Sequence, residues 1–233
     1  MRKVPLSIVI PTFDEAGVIR EQLVRLQVLR SRGVEVVVAD GGSTDRTREL
    51  AAPLADAVVL AHRGRAAQMN AGAQHAHGDV LLFLHADTRL PERADELIVT
   101  GLGAADKSWG RFDVQIEGSQ VLLRIVGMLM NWRSRLTGIA TGDQAIFVRR
   151  GTFERCDGFR DIPLMEDIAL SRRLKWFGRP LCLRGRVITS GRRWQRDGAM
   201  RTIVLMWCLR LAYFFGADPA RLALRYDHAR SER

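Results

Sequence analysis

Cysteine is scarce in this chain: three in 233 residues, at positions 156, 182 and 208. Cys156, Cys182 and Cys208 are far apart, odd in number and in no metal-ligand spacing. That argues against a disulfide framework or a thiolate zinc site and suits a reducing compartment. An apolar run long enough to cross a bilayer is also missing. The stretch from Thr202 to Gly216 falls short of the ~20 residues a spanning helix needs, and Arg210 interrupts it. An interfacial or dimer-forming helix stays open there. The N-terminal apolar run stops at Pro11, too early for the core of a secretory signal. Proline and glycine, 7 and 21 residues, form no low-complexity tract, and no fixed-period repeat is present. The turn after the first apolar run reads Pro-Thr-Phe-Asp-Glu, so the Gly-x-Gly-x-x-Gly fingerprint of a dehydrogenase is absent there.

What is present is enough apolar material, 47% of residues, for one well-buried domain with a short extension. The formal net charge is +10. Such an excess suits nucleic acid, an anionic membrane surface or a phosphate-bearing substrate, and it also suits a plain solvated basic face. Much of it falls late, at Arg149 and Arg150, Arg172 to Lys175, and Arg184 to Arg196.

The first half alternates strand and helix signals. Leu6 to Ile10, Val34 to Ala39, Ala57 to Leu60 and Val80 to Leu84 read as strands. Helical spacing covers Glu15 to Arg30, Thr44 to Leu54, Ala66 to His75 and Pro91 to about Leu102. This order predicts an α/β fold, a mainly parallel sheet with helices on both faces, whose ligands sit beyond the carboxyl ends of the strands. The second half is less regular. It predicts strands at Gly110 to Ile116, Ala145 to Val148 and Val187 to Thr189, and helices at Val121 to Leu136, Met165 to Trp176 and Met200 to Phe215.

The strand ends carry the chemistry. They present Pro11-Thr12-Phe13-Asp14-Glu15, Asp40-Gly41-Gly42-Ser43-Thr44-Asp45, His62-Arg63-Gly64-Arg65 and His85-Ala86-Asp87-Thr88. Asp40 at its strand end is free to accept hydrogen bonds from a base or ribose, although a turn with a capping residue uses the same residues. Arg65 before a helix N-terminus suits a phosphate, or is a surface arginine. Asp87 is an oxygen ligand for a hard divalent ion, or a turn residue. Glu166 and Asp167 open a helix, where they serve acid–base chemistry or merely meet the helix dipole.

Taken in order, PTFDE, DGGSTD, GRAAQMNAG, LHADT, GDQAIFVRR and MEDIALSRRL resemble glycosyltransferase family 2. The resemblance runs over roughly residues 5 to 195. More narrowly, GRAAQMNAGA, FLHADT and GDQAIF look like a small bacterial subgroup often labelled arsenosugar-biosynthesis-type glycosyltransferases. The resemblance implies a GT-A fold over residues 1–195, with a nucleotide-binding half at about 1–105 and an acceptor half at about 106–195. Residues 196–233 would form a C-terminal helical extension. It implies inverting transfer of a sugar from a UDP- or GDP-sugar to a hydroxyl acceptor, with Mn²⁺ or Mg²⁺. Asp167 would be the general base, and Glu166, catalytic with it, would orient it or meet the acceptor. Pro11, Thr12, Asp14, Glu15, Asp40, Gly41, Arg65, Gln68, His85 and Asp87 would line the nucleotide site. Asp87 would hold the metal, while His85, standing where the family carries a first carboxylate, would ligate, bond ribose or pack. Gly142, Asp143 and Gln144 would face acceptor and donor sugar, and Asn70 would be structural.

Arg193 and Trp194 match part of the Gln-x-x-Arg-Trp of processive relatives, with Ser190 in place of the Gln. That replacement argues against a polymerising synthase. The partners expected are the nucleotide-sugar donor and a hydroxyl acceptor, lipid-linked in one reading. Peripheral membrane contact and a homodimer are left open, nucleic acid is not expected, and the location expected is cytoplasmic or the inner membrane face. Two readings compete. A sugar-nucleotide nucleotidyltransferase would need a Gly-rich basic loop after the first strand, which is missing. A non-catalytic basic membrane- or nucleic-acid-binding protein would not gather carboxylates at the strand ends.

Overall fold

Alternation of apolar side chains along the first strands decides the layering. The computed structural model describes residues 5–118, 120–192 and 198–231. Along the chain run β1 (Leu6–Thr12), α1 (Ile19–Ser31), β2 (Glu35–Asp40), α2 (Thr47–Ala51), β3 (Ala57–Leu60), α3 (Arg65–His75), β4 (Val80–Phe83), β5 (Thr88–Arg89) and α4 (Ala94–Ala104). Then follow β6 (Trp109–Ile116), α5 (Val121–Thr137), β7 (Phe147–Arg149), α6 (Arg150–Arg155), α7 (Glu166–Leu174), β8 (Leu181–Thr189), α8 (Ala199–Phe214) and α9 (Pro219–Ser231). Leu6, Ile8 and Ile10 of β1, with Val36 and Val38 of β2, enter a core shared with α1, α4 and α5. Val9, Val37 and Ala39 point the other way, into a core shared with α3, α6 and α7. Strands buried on both faces read as continuous apolar runs for this reason.

The eight strands form one sheet in the order β3-β2-β1-β4-β7-β6-β8-β5. β1 to β4 are mutually parallel, β7 is antiparallel to β4 and β6, and β8 is parallel to β6. The carboxyl ends of β1, β2, β3, β4, β6 and β8 therefore share one edge, and the turn that enters β7 opens on that same edge. Gly72 lets α3 lie close on the sheet: a Cβ there would stand 2.4 Å from Val9 Cγ1.

The α/β expectation holds, with local corrections. α1 starts at Ile19 instead of Glu15, after Asp14 turns the chain at a φ of 52°. α2 is shorter than expected, because Asp14 accepts the Thr44 N–H and Asp45 accepts the Thr47 N–H, bonds that hold this stretch in a turn. β5, α6 and α9 are additional elements. β8 is nine residues long; opposite Phe112 and Asp113 its register slips past Arg184 and Gly185, which breaks the period-two signal. α5 is pinned to β6. The fully buried Arg111 bonds Ser134 Oγ, the Asn131 carbonyl and Asp113, and Asp113 also takes a two-pronged bond from Arg135. α8 and α9 meet α7 through Leu209, Leu222, Met165 and Ile168.

Candidate active site

A cleft of about 570 Å³ opens at the shared strand edge. β1 contributes Pro11, Thr12, Phe13 and Glu15, and the end of β4 contributes His85, Ala86 and Asp87. Arg65 enters from the first residue of α3, Asp143 from the turn before β7, and Thr189 and Ser190 from the end of β8. The far wall is made by α5 and α8, which face each other across the opening.

The nucleotide-side residues divide into those that face the cleft and those that build its floor. Asp40 belongs to the floor. Its carboxylate is 0% exposed and accepts the N–H groups of Gly42 and Ser43 at 3.0 and 2.9 Å and the hydroxyls of Ser43 and Thr12. The strand-end reading left Asp40 free for a base; here its own turn fills it. Asp14 is likewise occupied, receiving the Thr44 and Asp45 N–H groups at the exposed outside of the same loops. Gln68 donates to the Thr12 and Ala39 carbonyls, and Gly41 packs under its amide. Asn70 makes a reciprocal pair with the Phe159 backbone, the structural role expected of it. Phe13 is capped by the Arg63 guanidinium, 4.2 Å from its ring centre.

The turn Gly142–Gln144 brings the two halves together. Gly142 lies against the His85 imidazole, and its N–H donates to Asp167 Oδ2 at 2.9 Å. Asp143 Oδ1 stands 3.6 Å from His85 Nδ1, with 43% of its side-chain surface open to the cleft. Burial pushes the Asp143 carboxyl up, but the His85 contact and the charges of Arg65 and Arg210 outweigh it and hold it at about 2. Gln144 is fully buried, caps its own turn through the Thr141 N–H and donates to Asn131. Arg193 and Trp194 lie outside the described residues.

Glu166 and Asp167 open α7 beside this turn. Asp167 accepts the Gly142 N–H and, at 2.7 Å, that of Ile168. Glu166 is buried; desolvation, then the Asp167 charge, pushes its carboxyl up to about 7. The Arg65 guanidinium feels Glu166, Asp143 and Asp167 together, which keeps it firmly charged despite burial.

Among the described residues, no three His, Cys, Asp or Glu side chains gather into a complete metal cage. Glu15 and Asp87 both line the cleft. Burial and then the Asp87 charge push the Glu15 carboxyl up. Two carboxylates in one cleft fit a hard divalent ion held by one or two carboxylates, with phosphate oxygens and water completing its shell. Sequence reasoning did not single out Arg133 of α5 or Arg210 of α8, which also line the cleft. The lone charge inside the Thr202 to Gly216 apolar stretch was the available signal.

The sequence model of glycosyl transferase family 2 matches residues 7–153. The chain belongs to this family. The family 2 chain is also 40% identical over 98 residues to a PGL/p-HBAD biosynthesis glycosyltransferase of Mycobacterium tuberculosis, and equally to one of Mycobacterium bovis. That match covers 39% of this chain and spans 38% of the relative's length. Among solved structures, the mannosyltransferase PcManGT of Pyrobaculum calidifontis, in complex with GDP-Man and Mn²⁺, superposes with a TM-score of 0.63 at 20% identity. It covers 99% of this chain and 70% of its own. TarS of S. aureus, in complex with UDP-GlcNAc, gives 0.63 at 16% identity, covering 80% of this chain and 58% of its own. Glucosyl-3-phosphoglycerate synthase of Mycobacterium tuberculosis, with Mn²⁺, UDP and glucosyl-3-phosphoglycerate, gives 0.56 at 16%, covering 79% and 70%. These likenesses establish the GT-A fold of this family 2 glycosyltransferase.

Proposed function

We propose that this chain transfers a sugar, with inversion, from a nucleoside diphosphate donor to a hydroxyl acceptor. The observation that carries the reading is the convergence on one cleft of Asp87 and Glu15, of Arg65, and of the Asp143 turn that is bonded to Asp167. The donor nucleotide lies over the β1 and β4 ends, with its diphosphate toward Arg65 at the head of α3. Asp87 and Glu15 are the residues that would hold Mn²⁺ or Mg²⁺, as the ligands of the Pyrobaculum calidifontis and Mycobacterium tuberculosis structures suggest by analogy. When bound there, the ion would supply positive charge to a departing diphosphate. His85 packs on Gly142 and pairs with Asp143, which commits it to positioning that residue.

In the transfer, the acceptor oxygen attacks the anomeric carbon and the bond to the diphosphate oxygen breaks with its electron pair. The acceptor proton moves to a carboxylate. Asp167 is that base. The neighbouring Glu166 carboxyl, raised to about 7, keeps its own proton up to neutrality. Asp143 sits on the wall itself, but a carboxyl held at about 2 is a poor base and a good fixed anchor for sugar hydroxyls. Residues 1–195 carry this chemistry, and the helices of 196–233 form an extension that completes the acceptor side.

A thermal-shift panel tests the reading. UDP or GDP should raise the melting temperature in the presence of Mn²⁺ and do so less with chelator. A donor-hydrolysis screen over common nucleotide sugars then identifies the donor. No response to any nucleoside diphosphate, with or without metal, would sink the proposal.

A further inference from the structure

The cleft continues past the carboxylates into an apolar groove between α5 and α8. Ile125, Leu129 and Trp132 form one bank; Ile203, Met206 and Trp207 form the other. Trp132 and Trp207 are 62% and 65% exposed, so the groove reaches solvent along its length. At its inner end stand Arg133 of α5 and Arg210 of α8. Nε and Nη2 of Arg133 and Nε of Arg210 are buried and have no hydrogen-bond partner among the described residues. Desolvation, followed by the neighbouring Arg210 charge, pulls the Arg133 guanidinium down to about 10. Two like charges held together and out of water are costly unless an anion joins them.

Resting on the glycosyltransfer reading, we infer that the hydroxyl acceptor is an amphiphile that also carries a phosphate monoester, held by Arg133 and Arg210, with its hydrocarbon chain in the α5–α8 groove. A phosphate offers three strong acceptor oxygens and about −1.5 to −2 charges, which suits the three orphaned guanidinium nitrogens and the paired cations. A neutral lipid leaves those groups empty, and a headgroup without a tail leaves the apolar banks bare. The charge of Asp167 also reaches Arg133. A chain end that emerges between exposed tryptophans suits extraction of such a molecule from a bilayer surface.

The full chain can be titrated with decyl phosphate, decyl maltoside and inorganic phosphate, by calorimetry and tryptophan fluorescence. Decyl phosphate should bind at least tenfold tighter than the other two, and Arg133→Gln and Arg210→Gln should each remove that advantage. Trp207→Ala should weaken both decyl ligands. UDP or GDP binding with Mn²⁺, measured on the same arginine variants, should persist. Melting curves report folding, and the comparison of ligands on the unaltered chain decides the point without any variant. Equal affinity for decyl phosphate and decyl maltoside would overturn the proposal, leaving only an apolar surface. So would loss of nucleotide binding in the arginine variants, which would give these cations to the donor. A dimer that hides the tryptophans and resists decyl phosphate would do the same. If no nucleoside diphosphate binds the unaltered chain, the glycosyltransfer reading fails and takes the acceptor role with it. If nucleotide binds but decyl phosphate has no preference, only this inference fails.

Discussion

Gly142 presses against the imidazole of His85 so closely that a Cβ at position 142 would stand 2.6 Å from Nε2. The Gly142 N–H meanwhile donates to Asp167, and Asp143 pairs with the Nδ1 side of the same ring. One small residue thus sets the spacing between the end of β4 and the head of α7. Gly142→Ala should push the ring and the turn apart by a few tenths of an ångström or more. The collision is with a side-chain ring, so the stability loss should be within about 1 kcal/mol. Misplacement at the reacting centre costs more, up to ~10²-fold in rate. The expected outcome is kcat/KM for transfer lowered ~10- to 100-fold with little change in Tm. Unaltered kcat/KM would show that this spacing does not matter to the chemistry.

Asp167→Asn should abolish transfer while donor binding survives. A positioned base contributes ~10²–10⁴-fold, and the loss should lie in that range. The substitution has a structural side as well. Both oxygens of Asp167 accept backbone N–H groups, from Gly142 and Ile168. An amide offers one oxygen, so one N–H is left facing an NH₂ group, at a cost of about 1–3 kcal/mol. Calorimetry with the donor nucleotide, beside rates taken well below the variant's Tm, separates the two effects. Turnover that persists at the unaltered rate would remove Asp167 as the base.

The nucleotide half was legible because its signals are local. A β-branched run that ends in a polar cluster states both the strand and the edge to which it delivers its residues, as at Leu6 to Glu15 and at Val80 to Asp87. The same locality is silent on what Asp40 touches. Sequence shows a carboxylate at a strand end, but it does not show that Gly42 and Ser43 fold back to fill it. Gln144 is a similar case, since its capping of Thr141 depends on how the turn closes. The groove was hidden for the opposite reason: Arg133 and Arg210 are 77 positions apart in the chain and meet only through tertiary packing. β8 was underestimated because its register slip destroys the alternation that reveals a strand.

Asp40 and Asp87 should therefore answer differently to alanine. Asp40→Ala removes a buried carboxylate that satisfies two N–H groups and two hydroxyls, so the loss should be ~2–4 kcal/mol, seen as a Tm lower by several degrees. Asp87 faces the cleft, and its removal relieves the charge pressing on Glu15. Asp87→Ala should leave Tm nearly unchanged and abolish the Mn²⁺-dependent part of nucleotide binding in calorimetry. If Asp40→Ala melts like the unaltered chain, the floor role assigned to it is wrong. If Asp87→Ala binds nucleotide with the same dependence on Mn²⁺, the ion sits elsewhere.

Glu166 gives a pH signature that does not depend on any substrate. Burial and the Asp167 charge raise its carboxyl from the ordinary 4.5 to about 7 in the folded chain. A carboxyl raised on folding binds its proton more tightly in the native state. Its contribution is therefore fully present below about pH 4.5 and is lost as pH rises through about 7. Glu166→Gln keeps the shape, remains neutral at every pH and escapes this loss. The variant should match the unaltered chain near pH 5 and be more stable at pH 8 by ~1–3 kcal/mol, since each tenfold gain in proton affinity on folding is worth about 1.4 kcal/mol. Chemical denaturation at the two pH values measures the difference directly. A gap that is the same at pH 5 and pH 8 would mean that Glu166 is already ionised in the folded chain, and that the proton assigned to Glu166 is not there.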